Sequence, residues 1–397
     1  MAGPDIAGEV ITLHAGQRPP QYWDASVFLG GSWPDPHAPV MAWRAEVIAL
    51  LRERWANAGR FVVFVPEHDG QIGDADDDEL SNWHEYALGI ADVAMFWWPD
   101  NGDQCVLLAT LAAWHDSQRV VHGTPSRAPY GQHLLRTARS RGITVASTLS
   151  EMVRAALGKI GTGACRADGE REVPLAIWRT ESFQRWYSAQ TSAGNKLVSA
   201  RQVWTFGGGP QQQPAYWALH VQVYVSAEDR VKSNEVVISR PDISVVALYQ
   251  RAATIDDSTV VLVREFRSPA STPDGFVHEL PGGSGATGAD AHEQAAMETQ
   301  EETGLTIDVR RMRAHGSRQL MATVSAHHAH LYSAELTGDE LAGLRASQST
   351  PHGAGDTERT WIEVTTFGEI RRSRLVDWAT LGMIAEALLG STAPSPG

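Results

Sequence analysis

Apolar and polar positions along the chain fall into two textures. From residue 8 to about 155, short apolar runs alternate with amphipathic stretches. Val27-Phe28-Leu29-Gly30-Gly31 reads as a buried strand opening into a glycine loop. Trp43–Trp55 sets Val47, Leu50 and Leu51 at helical spacing among arginines and glutamates. Phe61–Val65 is a strand stopped by Pro66, Glu79–Ile90 a helix, and Val93–Pro99 a third strand. Cys105–Trp114 reads as helix, Arg119–Val121 and Ile143–Val145 as strands, and a helix opens at Ser150. This alternation with short links predicts an α/β, Rossmann-like parallel sheet with helices on both faces.

From residue 216 the texture changes to β-branched or alternating strands: Tyr216–Val225, Glu235–Ser239, Ile243–Tyr249 and Thr259–Phe266. A helix over 291–303 follows, then strands near Ala329–Ala334 and Arg359–Val364 and a helix over Val376–Leu389, an α+β pattern. Polar, Gly-rich residues 161–169 and the run Gly207-Gly208-Gly209-Pro210 mark boundaries, and the aromatic-rich stretch 174–206 shows no clear period. The expected organisation is a domain at 8–158, a connecting segment at 159–214, a second domain at 215–390 and a disordered tail at 391–397. A length of 397 residues suits two domains of roughly 150–200 residues each.

Lys+Arg is 33 and Asp+Glu is 47, a net charge of −14. That balance argues against nucleic-acid and anionic-membrane partners, both of which favour a basic face. Two cysteines, Cys105 and Cys165, exclude a disulfide framework or a Cys-rich zinc site. No apolar run reaches ~18 residues, and Met1–Asp5 lacks a signal-peptide pattern. A cytoplasmic protein is expected. Of 14 tryptophans, eight precede residue 120, which reads as core more than as a carbohydrate platform.

The chemistry concentrates after residue 278. His278-Glu279-Leu280-Pro281-Gly282-Gly283 leads through a glycine-rich stretch to Asp290, which with Glu293 makes a capping-box-like helix start. Glu298, Glu301 and Glu302 then stand at i, i+3 and i+4, on one helix face, and Gly304 is placed to end the helix. Carboxylates so clustered repel one another unless a cation sits among them. Oxygen-only ligands suit Mg²⁺ or Mn²⁺, which can bridge phosphate oxygens and activate water.

This stretch resembles the signature of the Nudix hydrolases through Gly283, Glu298, Glu301, Glu302, Gly304 and Leu305. Three positions depart: Ala289 stands for the first glutamate, Met297 for the arginine and Thr299 for the apolar residue. In the family that arginine orients the metal-binding glutamates. Val261–Pro269, ahead of Glu279-Leu280-Pro281-Gly282, is similar to the ADP-ribose and nucleotide-sugar branch. The resemblance covers about 215–390. It implies an α+β Nudix fold and metal ligation by Glu298, Glu301, Glu302 and the Gly282 carbonyl. It further implies substrate contacts from Arg267 and Glu279, and catalysis by Glu301 or Glu302 assisted by the loop acid Glu358.

The front half, about 22–155, resembles the nucleoside 2-deoxyribosyltransferase-like family, which includes nucleotide N-glycosidases. The matching residues are Val27–Ser32, Trp43-Arg44, Trp83-His84-Glu85, Ala91-Asp92-Val93 and Phe96–Pro99. Gly30 and Gly31 would approach a sugar or phosphate, with Asp92 and Glu85 as further acids. The family's glutamate nucleophile falls at Thr110, which offers no carboxylate, so a binding or structural role is expected there. The combined reading is a Mg²⁺- or Mn²⁺-dependent hydrolase of a nucleoside diphosphate derivative with a nucleoside-binding front domain. Its alternatives are a bifunctional N-glycosidase and phosphohydrolase, and a non-catalytic nucleotide sensor. The partner is a small nucleotide or nucleoside, and a homodimer is admitted. His327, His328 and His330 read as a strand start, not a zinc site. Phe183, Trp186 and Tyr187 read as either a lid or an inter-domain pad.

Overall fold

A computed structural model describes residues 8–31, 42–57, 59–67, 77–98, 118–125, 131–140, 142–207, 213–285, 290–353 and 359–390. The chain separates into two compact units, Met1–Arg240 and Pro241–Gly397. No helix among the described residues is long and apolar enough to cross a membrane.

The first unit is built on a six-stranded parallel sheet. Its strands are β1 (Glu9–His14), β2 (Ala25–Gly31), β3 (Arg60–Val65), β4 (Val93–Trp97), β5 (Val120–Gly123) and β6 (Thr144–Ala146). They lie in the order β1-β3-β2-β4-β5-β6. Both faces are covered, so the strands read as near-continuous apolar runs. Helices α1 (Ala42–Arg54) and α4 (Leu149–Ile160) pack Val47, Leu51, Met152 and Val153 on the face carrying Val27, Leu29 and Met95. On the other face, α2 (Asp77–Ile90) meets Phe28, Val62 and Phe64, and Ala138 of α3 (Gly131–Ser140) meets Ala94 and Phe96. From β2 the chain winds first to β3 and then back to β4. The carboxyl ends of β2 and β4 therefore form the topological switch point where open α/β sheets bind ligands. The predicted helix 105–114, with Thr110, lies outside the described residues.

The stretch expected to be a connecting segment is built into this unit. Arg166 and Asp92 form a fully buried bidentate ion pair, at 2.9 and 2.6 Å. Helix α5 (Glu181–Ser192) inserts Phe183 beside Trp178, Trp186, Tyr187 and Trp217. Within this unit the aromatic cluster is helix-on-sheet packing. The Gly207–Pro210 run joins β7 (Lys196–Phe206) to β8 (Tyr216–Val225), an antiparallel pair completed by β9 (Arg230–Ser239). The division between units falls after Arg240, not at 215.

His122 of β5 is wholly buried, and neither ring nitrogen has a hydrogen-bond partner. Burial pulls it down to about 4. The folded chain therefore keeps it neutral while the unfolded chain takes up a proton below its ordinary value of 6.5. Its stabilising contribution is present above that value and is lost as pH falls toward 4. His122→Leu should lose less stability than the wild type between pH 7 and pH 4, by about 3 kcal/mol in denaturant titrations. Parallel pH profiles would refute this.

The second unit holds a seven-stranded mixed sheet. Along it run β12 (Phe276–Glu279), β11 (Thr259–Phe266), β10 (Ile243–Gln250), β15 (His328–Glu335) and β14 (Arg313–Gln319). β13 (Gly282–Gly283) pairs with β10, and β16 (Thr360–Thr366) with β11. One face packs Val246, Leu248 and Val261 against Ala295 of α6 (Ala291–Thr303) and Leu341 and Leu344 of α7 (Gly338–Ser347). The opposite face packs Val245, Leu262 and Leu331 against α8 (Phe367–Ser373) and α9 (Trp378–Gly390). The whole chain is thus a mixed α/β fold.

Candidate functional site

In the second unit, the predicted helix and its caps position the acids. The Asp290 carboxylate accepts from the amides of His292 and Glu293, at 2.8 and 3.2 Å, and starts α6. Gly304 ends it in the left-handed conformation, φ 71°. Ala295, Thr299 and Thr303 face the core. Thr299 serves at a position where the resemblance expects an apolar residue, because its hydroxyl is satisfied by the Ala295 carbonyl, 2.8 Å away. The next stripe of the helix carries Gln294, Glu298 and Glu302, each four residues apart.

That stripe lies on the glycine loop. The Gly282 amide donates to Glu302 Oε2 at 2.9 Å. A Cβ on Gly283 would come within 2.4 Å of Glu298 Oε1, so only glycine lets the carboxylate approach. Gln294 donates to Glu298 Oε1 at 2.6 Å. It thereby supplies an orienting contact in a helix where Met297 replaces the expected arginine and stands 55% exposed. Beside the glutamates, Arg267 pairs with both Glu265 and Glu279, each at 2.9 Å. Burial pushes the Glu302 carboxyl up to about 8, with Glu298 and Glu265 adding to the rise. The Gly282 amide and Arg267 oppose it.

Glu298, Glu302, Gly282, Glu279 and Arg267 are therefore brought together, along with Glu265 and Gln294, which the sequence reading missed. Strand alternation carried the signal for Glu265, since it shares a strand face with Arg267. Glu301 stands exposed. Its backbone carbonyl accepts from Gly353, and that of Glu302 from the Thr360 hydroxyl. These two contacts tie the last turn of α6 to Gly353 and Thr360. Glu358 and Ala289 lie outside the described residues.

Among the described residues, no three Asp, Glu, His or Cys side chains converge as a complete cation site. The donor chemistry nevertheless suits a hard divalent ion. Glu302 is a half-buried carboxyl whose ionisation is suppressed by desolvation and by neighbouring acids, the electrostatic setting a cation relieves.

In the first unit, the expected ligand residues have packing duties. A Cβ on Gly30 would fall 2.2 Å from the Phe96 ring, and one on Gly31 would meet the Trp97 carbonyl at 2.8 Å and Trp43 at 3.0 Å. Asp92 accepts from Arg166, the Ser26 amide and hydroxyl, and the Leu175 amide. Both its oxygens are occupied and the residue is buried. In this arrangement Asp92 serves as a structural anchor. At the switch point itself, Arg44 forms a buried ion pair with Glu67 and donates to the Leu29 carbonyl at 3.1 Å.

Compared with known proteins, the chain matches no protein-family model and no curated protein.

Proposed function

We propose that the second unit is a Nudix-type, divalent-metal-dependent hydrolase of a nucleoside diphosphate derivative such as ADP-ribose or a nucleotide sugar. The first unit, on this reading, binds a nucleoside-like ligand without cleaving it. The observation that carries the proposal is the pairing of Glu298 and Glu302 on one helix stripe against the Gly282-Gly283 backbone. In the reaction, water adds to one phosphorus of the diphosphate, the bond from that phosphorus to the bridging oxygen breaks, and two monophosphates leave. Mg²⁺ or Mn²⁺, when bound, would polarise the phosphate oxygens and acidify the water.

Glu298 and Glu302 would hold the ion, with Glu301 and the Gly282 carbonyl as further oxygen donors. Gln294 fixes Glu298, and the Gly282 amide fixes Glu302. Arg267, held between Glu265 and Glu279, is the cation available to an anionic substrate. Glu358 is the candidate acid for orienting water.

A panel of nucleoside diphosphate derivatives, incubated with the full chain and Mg²⁺ or Mn²⁺ and resolved by mass spectrometry, tests this reading. Monophosphate products support it. Free base as the dominant product would move the chemistry to the front unit. On the same panel, Met297→Arg should raise turnover several-fold, on the scale of a charge-assisted contact. An unchanged or lower rate would show that Gln294 already suffices.

A further inference from the structure

The second unit contains a cavity of about 300 Å³ between β14, β15 and α9. It shares no residue with the glutamate site. α9 packs on the face of the sheet opposite to α6, so the two places are separate.

The lining combines three chemistries. Leu331 and Met383 supply an apolar floor. Trp378 stands at the rim, 88% exposed. An indole so exposed leaves a large flat apolar surface in water and forms a ready stacking partner. Arg318 and Glu386 add opposite charges. Arg318 is exposed and makes no ion pair among the described residues. His315 is held by a 2.7 Å hydrogen bond to Ser333, and burial and Arg313 lower its pKa against the pull of Glu386.

A volume of this size lies at the lower end for small-molecule sites. A flat stacking surface, a cation available to an anion and a carboxylate able to accept from amino groups favour one ligand class. We propose that this cavity binds a planar heteroaromatic molecule carrying an anionic group, of the size and charge of a nucleoside monophosphate. The ring stacks on Trp378 over Met383 and Leu331, and the anion pairs with Arg318. The proposal does not rest on the hydrolytic reading of the glutamate site.

Calorimetric titration of the full chain with AMP, adenosine and inorganic phosphate tests it. AMP should bind more tightly than either fragment. Arg318→Ala should weaken AMP by at least ~10-fold while leaving adenosine unchanged. Trp378→Ala should weaken both on the order of 10-fold, and Trp378→Phe should restore most of the loss. Because both side chains are exposed, neither substitution threatens folding. Glu302→Gln should leave AMP binding intact, which separates this cavity from the glutamate site. Absent AMP binding, or binding indifferent to Arg318 and Trp378, overturns the proposal.

Discussion

Glu302→Gln is expected to lower hydrolysis at least ~10²-fold, the scale seen when one preorganised electrostatic contact is removed, while stabilising the protein at alkaline pH. Glutamine keeps the shape, and its side-chain oxygen can still accept from the Gly282 amide. The stability effect has a definite sign. Folding raises the Glu302 carboxyl from 4.5 to about 8. Its stabilising share is complete below pH 4.5 and is lost as pH rises through about 8. In EDTA at pH 9, the wild type therefore carries a half-buried, repelled carboxylate that the variant lacks. The variant should be more stable there by at least ~2 kcal/mol and nearly equal at pH 5. Thermal denaturation at the two pH values decides the matter, and a variant less stable at pH 9 would show that Glu302 is not held in an unfavourable charge state.

Arg166→Met should cost about 3–5 kcal/mol, because it strands the Asp92 carboxylate in the core of the first unit. Asp92 is 5% exposed and Arg166 0%, so water cannot take the place of the missing guanidinium. Asp92→Asn should be damaging too, since Arg166 then keeps its charge without a counterion. The double variant Asp92→Asn/Arg166→Met should recover part of the loss, as paired removal is milder than single removal. Urea titration of the full chain measures all three. A loss below ~1 kcal/mol for Arg166→Met would contradict the anchoring role and reopen Asp92 as a functional acid.

These two sites differ in how much of them is visible in the amino-acid order. The α6 acids sit within one helix, so period and capping alone place Glu298 and Glu302 on a common stripe and set Asp290 and Gly304 at its ends. Glu301 departs from that stripe because an i+3 neighbour lies beside it, at the solvent edge. Glu265 comes from a separate strand, β11, and joins the site through Arg267, which it shares with Glu279. The Asp92–Arg166 clasp spans 74 residues, and nothing in the polar Gly-rich stretch around Arg166 announces a buried partner. For the same reason the stretch 159–214 reads as a connector, although its helices and strand pack into the first unit. The Gly207–Pro210 run misleads because a stretch between two paired strands of one sheet, β7 and β8, can share a linker's composition. The inner strands of the parallel sheet are legible, since strands buried on both faces leave uninterrupted apolar runs, whereas the half-buried edge strand β1 (Glu9–His14), with polar residues in its run, is not.

The most direct test of the central claim is conversion of ADP-ribose by the full chain in Mg²⁺ and, separately, in excess EDTA, with products identified by mass. AMP and ribose 5-phosphate are expected with Mg²⁺, neither with EDTA, and neither from Glu298→Gln at a comparable rate. Equal conversion in EDTA, or full activity in Glu298→Gln, would contradict a metal-dependent site on the α6 glutamates.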